Sequence, residues 1–127
     1  MGSRQYYSPD PRTHERAFSR AVITEGGKTI WLAGQTSPPG TGDFEAQTRD
    51  VFARLDETIK AAGGRGLADM VTMTVFINDP RHGDRFTQIR KEILKDNFPA
   101  SALISVSAFA RPEILIEIQG VALIGVD

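Results

Sequence analysis

Residues 43–62, DFEAQTRDVFARLDETIKAA, decide the fold class. Phe44, Val51, Leu55, Ile59 and Ala62 recur at three-, four- and seven-residue steps, which places them on one side of an α-helix. Arg49, Asp50, Arg54, Asp56, Glu57 and Lys60 fill the remainder of its surface. Asp43 is a suitable N-cap and Gly63-Gly64 a suitable stop. An apolar stripe this regular must be buried against another layer, and the flanking sequence offers strands for it to lie on.

Upstream, FSRAVITEGGKTIWLAGQT reads as two apolar stretches around Glu25-Gly26-Gly27-Lys28, a hairpin by turn chemistry. Residues 1–16, with Pro9 and Pro11, have little pattern and read as an arm. Downstream, residues 71–77 (VTMTVFI) form a β-branched strand that ends at Asn78-Asp79-Pro80. A shorter helix follows over about 82–95, with Phe86, Ile89, Ile93 and Leu94 on one side. Strands over 102–106 and 114–124 close the chain. The order is β-β-α-β-α-β-β, and the expected architecture is α+β, one domain over residues 1–127: one mixed sheet with two helices on one face.

Composition bounds the function. The 127 residues are 40% hydrophobic and 24% charged, with a formal net charge of −1. Nucleic acid is a poor partner for such a balance, because phosphate binding needs a concentrated basic surface. With no cysteine, disulfides, thiolate catalysis and cysteine-ligated metals are excluded together. The first residues are too polar for a signal peptide, and no apolar run reaches membrane-helix length. A soluble, cytoplasmic protein is expected.

Strand alternation assigns faces. Ile114, Ile116 and Ile118 oppose Leu115, Glu117 and Gln119; Val71, Met73, Val75 and Ile77 oppose Thr72, Thr74 and Phe76; Ala102, Ile104 and Val106 oppose Ser101, Leu103 and Ser105. The aliphatic sets are expected under the helices. The other face carries too little Lys and Glu for a solvated surface, so another subunit is expected to cover it and to enclose a small-molecule pocket there.

Glu117 is the most informative ionisable residue, a carboxylate inside an apolar strand. Partial burial disfavours the charged form of a carboxylate and suits it to acid–base work near neutral pH. A solvated or ion-paired strand residue is the plainer explanation. His14 and His82 lack metal-ligand spacing and read as surface histidines. Ser101, Ser105 and Ser107 do not form a nucleophile elbow, and the glycine clusters match neither phosphate-binding spacing.

Five segments in register, AGQTSP, DFEAQTRDVFARLDETIKAAG, DMVTMTVFIND, FPASALISV and LIEIQGVA, resemble landmarks of the RidA/YjgF family from about residue 17 to 123. The resemblance implies a chorismate-mutase-like fold with a mixed six-stranded-type sheet, a homotrimer with a pocket in each intersubunit cleft, and cofactor-free, metal-free hydrolysis of reactive enamines and imines such as 2-aminoacrylate. By the same resemblance Glu117 positions the attacking water and Gly34 belongs to the site. The match fails where the deaminase-type motif Pro-Ala-Arg-Ser becomes Pro99-Ala100-Ser101-Ala102, so the carboxylate-binding arginine is Ser101. A small or thiol-bearing position becomes Leu103, and a tyrosine becomes Phe18.

Charged hydrogen bonds contribute about 1.5–3 kcal/mol each. Losing the arginine fork therefore implies roughly ten- to a hundredfold less stabilisation of an α-imino acid's transition state. The sequence points to a hydrolase of an enamine, imine or related small metabolite other than 2-aminoacrylate, with Phe18, Gly34, Ser101 and Leu103 contacting it. Arg16, Arg20 and Arg111 are the arginines considered for the pocket edge. The alternative is a non-catalytic small-ligand-binding or regulatory trimer; endoribonuclease activity is disfavoured by charge.

Overall fold

The central helix forms where its periodicity places it. In the computed structural model, which describes residues 2–127, α2 spans Phe44–Ala61 and the Asp43 side chain accepts the Ala46 N–H at 3.0 Å. It buries Phe44, Val51, Phe52, Leu55 and Ile59. The other elements are β1 (Ser3–Tyr7), α1 (Pro11–Glu15), β2 (Ala21–Glu25), β3 (Lys28–Gln35), β4 (Met70–Ile77), α3 (Gly83–Leu94), β5 (Ala100–Ser105) and β6 (Ile116–Ile124).

Among the described residues six strands form, and they divide into an antiparallel β1-β2 ribbon and a four-stranded mixed sheet, β3-β6-β4-β5. The expected single sheet is corrected accordingly. So is the hairpin: Gly26 and Gly27, both at positive φ, reverse the chain, yet β2 pairs with β1 while β3 pairs with β6. Turn chemistry fixes the reversal and leaves the pairing to other strands. The supposed arm is also structured. Its residues pair with β2 through backbone groups and then form α1, capped by Asp10, whose carboxylate accepts the Arg12 N–H at 2.9 Å.

α2 and α3 enclose the core over one face of the four-stranded sheet, where Phe52, Leu55, Phe86, Met73, Val75, Ile116 and Ile118 are almost wholly buried. Fully burying an aliphatic side chain of this kind stabilises by about 1.5–3 kcal/mol. The face assignments hold for Met73, Val75 and Ile77 on β4 and for Ile116 and Ile118 on β6.

On β5 the grouping holds and the sides are exchanged. Ser101 and Leu103 stand beside Met73 and Val75, on the helix side. Ala102 and Ile104 stand beside Thr74 and Phe76, and Ile104 is 42% exposed. β5 is an edge strand, so its helix-side residues lie at the margin of the core, where a hydroxyl finds a polar partner from α3.

Candidate functional site

The open face of the sheet gathers Thr74, Phe76, Glu117 and Gln119 by register. Between Leu32 and Gln35 the pairing of β3 with β6 shifts, a bulge that inserts one extra residue. The bulge carries Gly34 up to Glu117: a Cβ at position 34 would lie 3.0 Å from the Glu117 carboxyl carbon and would collide with Oε2. Only glycine leaves the carboxylate this place. Glu117 is half-buried, and among the described residues no donor or cation engages its carboxylate. The same face carries Trp31, 80% exposed and in register with Val121.

Phe18, Ser101 and Leu103 assemble elsewhere. With Arg16, Thr87 and Arg90 they line a cavity of about 160 Å³ on the helix side of β5. After α1 the chain turns through Ala17, at φ 62° and fully buried. Ser19 then bridges to Ala100, its N–H donating to the Pro99 carbonyl at 3.0 Å. That bridge brings Phe18 to the start of β5. The five expected site residues therefore form two clusters on opposite sides of the sheet, Gly34 with Glu117 and Phe18 with Ser101 and Leu103.

The cavity's floor is a residue outside the expected set. Arg90 is 3% exposed; its Nη1 donates to Ser101 Oγ at 2.7 Å and its Nη2 to the Arg16 carbonyl at 2.9 Å. Its guanidinium lies 4.9 Å from the centre of the Phe86 ring, and its Nε is buried without a partner. Burial, with the positive charge of Arg16 nearby, pulls its pKa down to about 10. The signal was present in the sequence: residue 90 falls within the Phe86–Ile89–Ile93 stripe, where a charge is out of place.

Arg16 stands at the cavity mouth, donating to Asp84 Oδ1 and to Thr87 Oγ1, each at 3.2 Å. Arg111 is committed elsewhere, to Glu113 at 2.6 Å and the Ser37 carbonyl at 2.8 Å, and Arg20 is exposed and does not line this cavity. His82 stacks on Phe44 at 4.1 Å and His14 packs edge-on against Phe98 at 5.2 Å. Among the described residues no group of three or more His, Asp or Glu side chains is placed to hold a metal. A larger recess of about 330 Å³ between Arg4, Arg65 and Asp127 contains none of the expected residues, and its two arginines already face Asp69.

Helices α2 and α3 over a β3-β6-β4-β5 sheet give the α+β fold of the YjgF type. The chain belongs to the RidA/YjgF family: the family model described as Endoribonuclease L-PSP matches residues 10–124. A RutC family protein of Sulfurisphaera tokodaii is 34% identical over 107 residues, 80% of this chain and 82% of the relative. Human 2-iminobutanoate/2-iminopropanoate deaminase is 30% identical over 114 residues, 85% of this chain and 80% of the human protein. The crystal structure of a Rid-family protein of unknown function from Yersinia pestis superposes with a TM-score of 0.85 at 28% identity, covering 96% of this chain and 99% of that one. A YjgF-family structure from Mycobacterium tuberculosis gives 0.70 at 27% identity, over 96% and 100%. No helix among the described residues is long and apolar enough to cross a membrane.

Proposed function

We propose that the protein hydrolyses a small reactive enamine or imine to the carbonyl compound and ammonia, with Glu117 holding the water. Water oxygen bonds to the imine carbon while Glu117 accepts a water proton. Return of that proton to nitrogen gives the neutral carbinolamine; Glu117 then carries the hydroxyl proton to the amine, so that the C–N bond breaks, ammonia leaves and the oxygen lone pair closes the carbonyl. The observation that carries this reading is the Glu117 carboxylate, half-buried, unpaired among the described residues and seated against Gly34. The likeness to the human deaminase supports the reaction class.

In this proposal the chain works as a homotrimer. The uncovered face bearing Trp31, Phe76 and Ile104 meets a neighbouring copy, so that Glu117 of one copy approaches the Phe18–Ser101–Leu103 cavity of the next. Phe18 and Leu103 supply apolar walls; Ser101 and the backbone at Gly34 supply polar contacts. The net charge of −1 argues against an RNA substrate.

Release of 2-oxobutanoate from 2-iminobutanoate generated in the assay tests the reading. Positioned acid–base groups contribute roughly 10²–10⁴-fold, so E117Q should lose about a hundredfold or more of the turnover. Absence of wild-type acceleration on any enamine or imine, or an undiminished E117Q, removes it.

A further inference from the structure

We propose that Arg90, presented from α3 at the floor of the Phe18–Ser101–Leu103 cavity, is the receptor for the carboxylate of a small monocarboxylic ligand. This deepens the hydrolase reading by assigning its substrate a negative charge, and it reverses the expectation that a serine at position 101 leaves the pocket without a guanidinium.

An arginine this buried is normally paired with an anion, because desolvating an unpaired charge costs several kcal/mol. Arg90 has no such partner: among the described residues its acceptors are the neutral Ser101 hydroxyl and Arg16 carbonyl. The nearest acidic group at the cavity mouth, Asp84, engages Arg16 instead and is 87% exposed. Arg16 adds a second positive charge beside the first, which raises the demand for an anion. Arg90 thus stands at the cavity with no side-chain counter-charge among the described residues.

The Arg90 fork also keeps donors that its own chain does not use. A guanidinium has five N–H donors in a rigid fork, of which two are used, and Nε is unmatched. The Phe86 ring, 4.9 Å from the guanidinium carbon, holds the cation against α3. Ser101 Oγ accepts from Arg90, so its own hydrogen is free to donate to a ligand oxygen. Arg90 and Ser101, with Arg16 at the mouth, line one cavity, and a carboxylate there would take charge-assisted hydrogen bonds, about twice as strong as neutral ones.

Size and walls set the remainder of the ligand. Drug-sized molecules occupy pockets of about 300–1,000 Å³; about 160 Å³ admits a carboxylate with a short chain. Phe18 and Leu103 give that chain an apolar surface.

Calorimetric titration of the full-length chain with 2-oxobutanoate, its methyl ester and inorganic phosphate tests the assignment. Saturable binding of 2-oxobutanoate is expected, at least tenfold weaker for the ester and for phosphate. R90Q should bind 2-oxobutanoate at least tenfold more weakly, with R90K between the two. E117Q should retain binding while losing turnover, so a failed hydrolase reading and a failed anion site give different results. Equal affinity for acid and ester, tighter binding of phosphate, wild-type affinity in R90Q, or no saturable binding overturns the proposal. The ester comparison uses the wild-type chain and holds even if R90Q does not fold.

Discussion

Arg90 Nη1 lies 2.7 Å from Ser101 Oγ, a contact that ties α3 to edge strand β5 at the floor of the cavity. The two positions meet at one point: the guanidinium rising from the helix already occupies the space at the Ser101 hydroxyl. S101R therefore sets a second cation against a buried one that already lacks an anion, and should lower the melting temperature. S101R/R90L removes the conflict and should recover most of that loss. Coupling energies of about 0.5–3 kcal/mol are usual for residues in direct contact. Denaturant melts of the four proteins in the cycle measure it, and additive effects would show that the two sites are independent.

Gly34 and Glu117 give a second, separable test. An alanine at 34 meets the end of a flexible side chain rather than backbone, so the carboxylate can swing away. Folding stability should change by less than about 1 kcal/mol, within the range of an ordinary surface substitution. Turnover should fall tenfold or more, because the displaced carboxylate no longer holds the water. A melting temperature that falls steeply with kcat unchanged would make Gly34 a structural residue only.

Much of this arrangement was legible in the sequence, for identifiable reasons. α2 could be read from its stripe because it packs on a sheet along its whole length, and β4 and β6 because both are internal strands with one face under helices. The resemblance names Gly34 and Glu117 separately; their closeness was not legible, since no periodicity places the bulge that brings them together. β5 misled because alternation separates two faces without naming them, and on an edge strand the more apolar set need not be the inner one. Arg16, Arg20 and Arg111 stand in segments with a polar, loop-like pattern, whereas the buried guanidinium at the cavity, Arg90, lies inside a helix stripe recognisable by its apolar members.

Trp31 tests the assembly. A tryptophan 80% exposed on a face with Ile104 at 42% is unusual for a surface meant for water. W31E places a charge on that face and should shift the species measured by light scattering from a multiple of the 13.9 kDa chain towards the single chain. Turnover should fall with it, since the two half-sites would no longer meet. A wild-type chain that is already monomeric, or a fully active monomeric W31E, would separate the chemistry from assembly.

Asp79 links acid sensitivity to the helix that carries Arg90. It caps the 3-10 turn Pro80–His82 leading into α3, accepting the Arg81 N–H at 2.9 Å. The Arg81 side chain's hydrogen bond, reinforced by that backbone N–H, lowers its pKa from 3.8 to about 2. A carboxylate whose folded pKa is depressed contributes stability that is complete above its unfolded value and is lost as pH falls through its folded value. The Asp79 contribution is therefore present above about pH 4 and should disappear between about pH 4 and 2. D79N keeps an acceptor for the backbone N–H and removes only the charge. Wild type should melt above D79N at pH 6, and the gap should close as pH approaches 2, modestly because solvent screens the pair. A gap that stays constant across that range would mean the cap's geometry, not its ionisation, supports the start of α3.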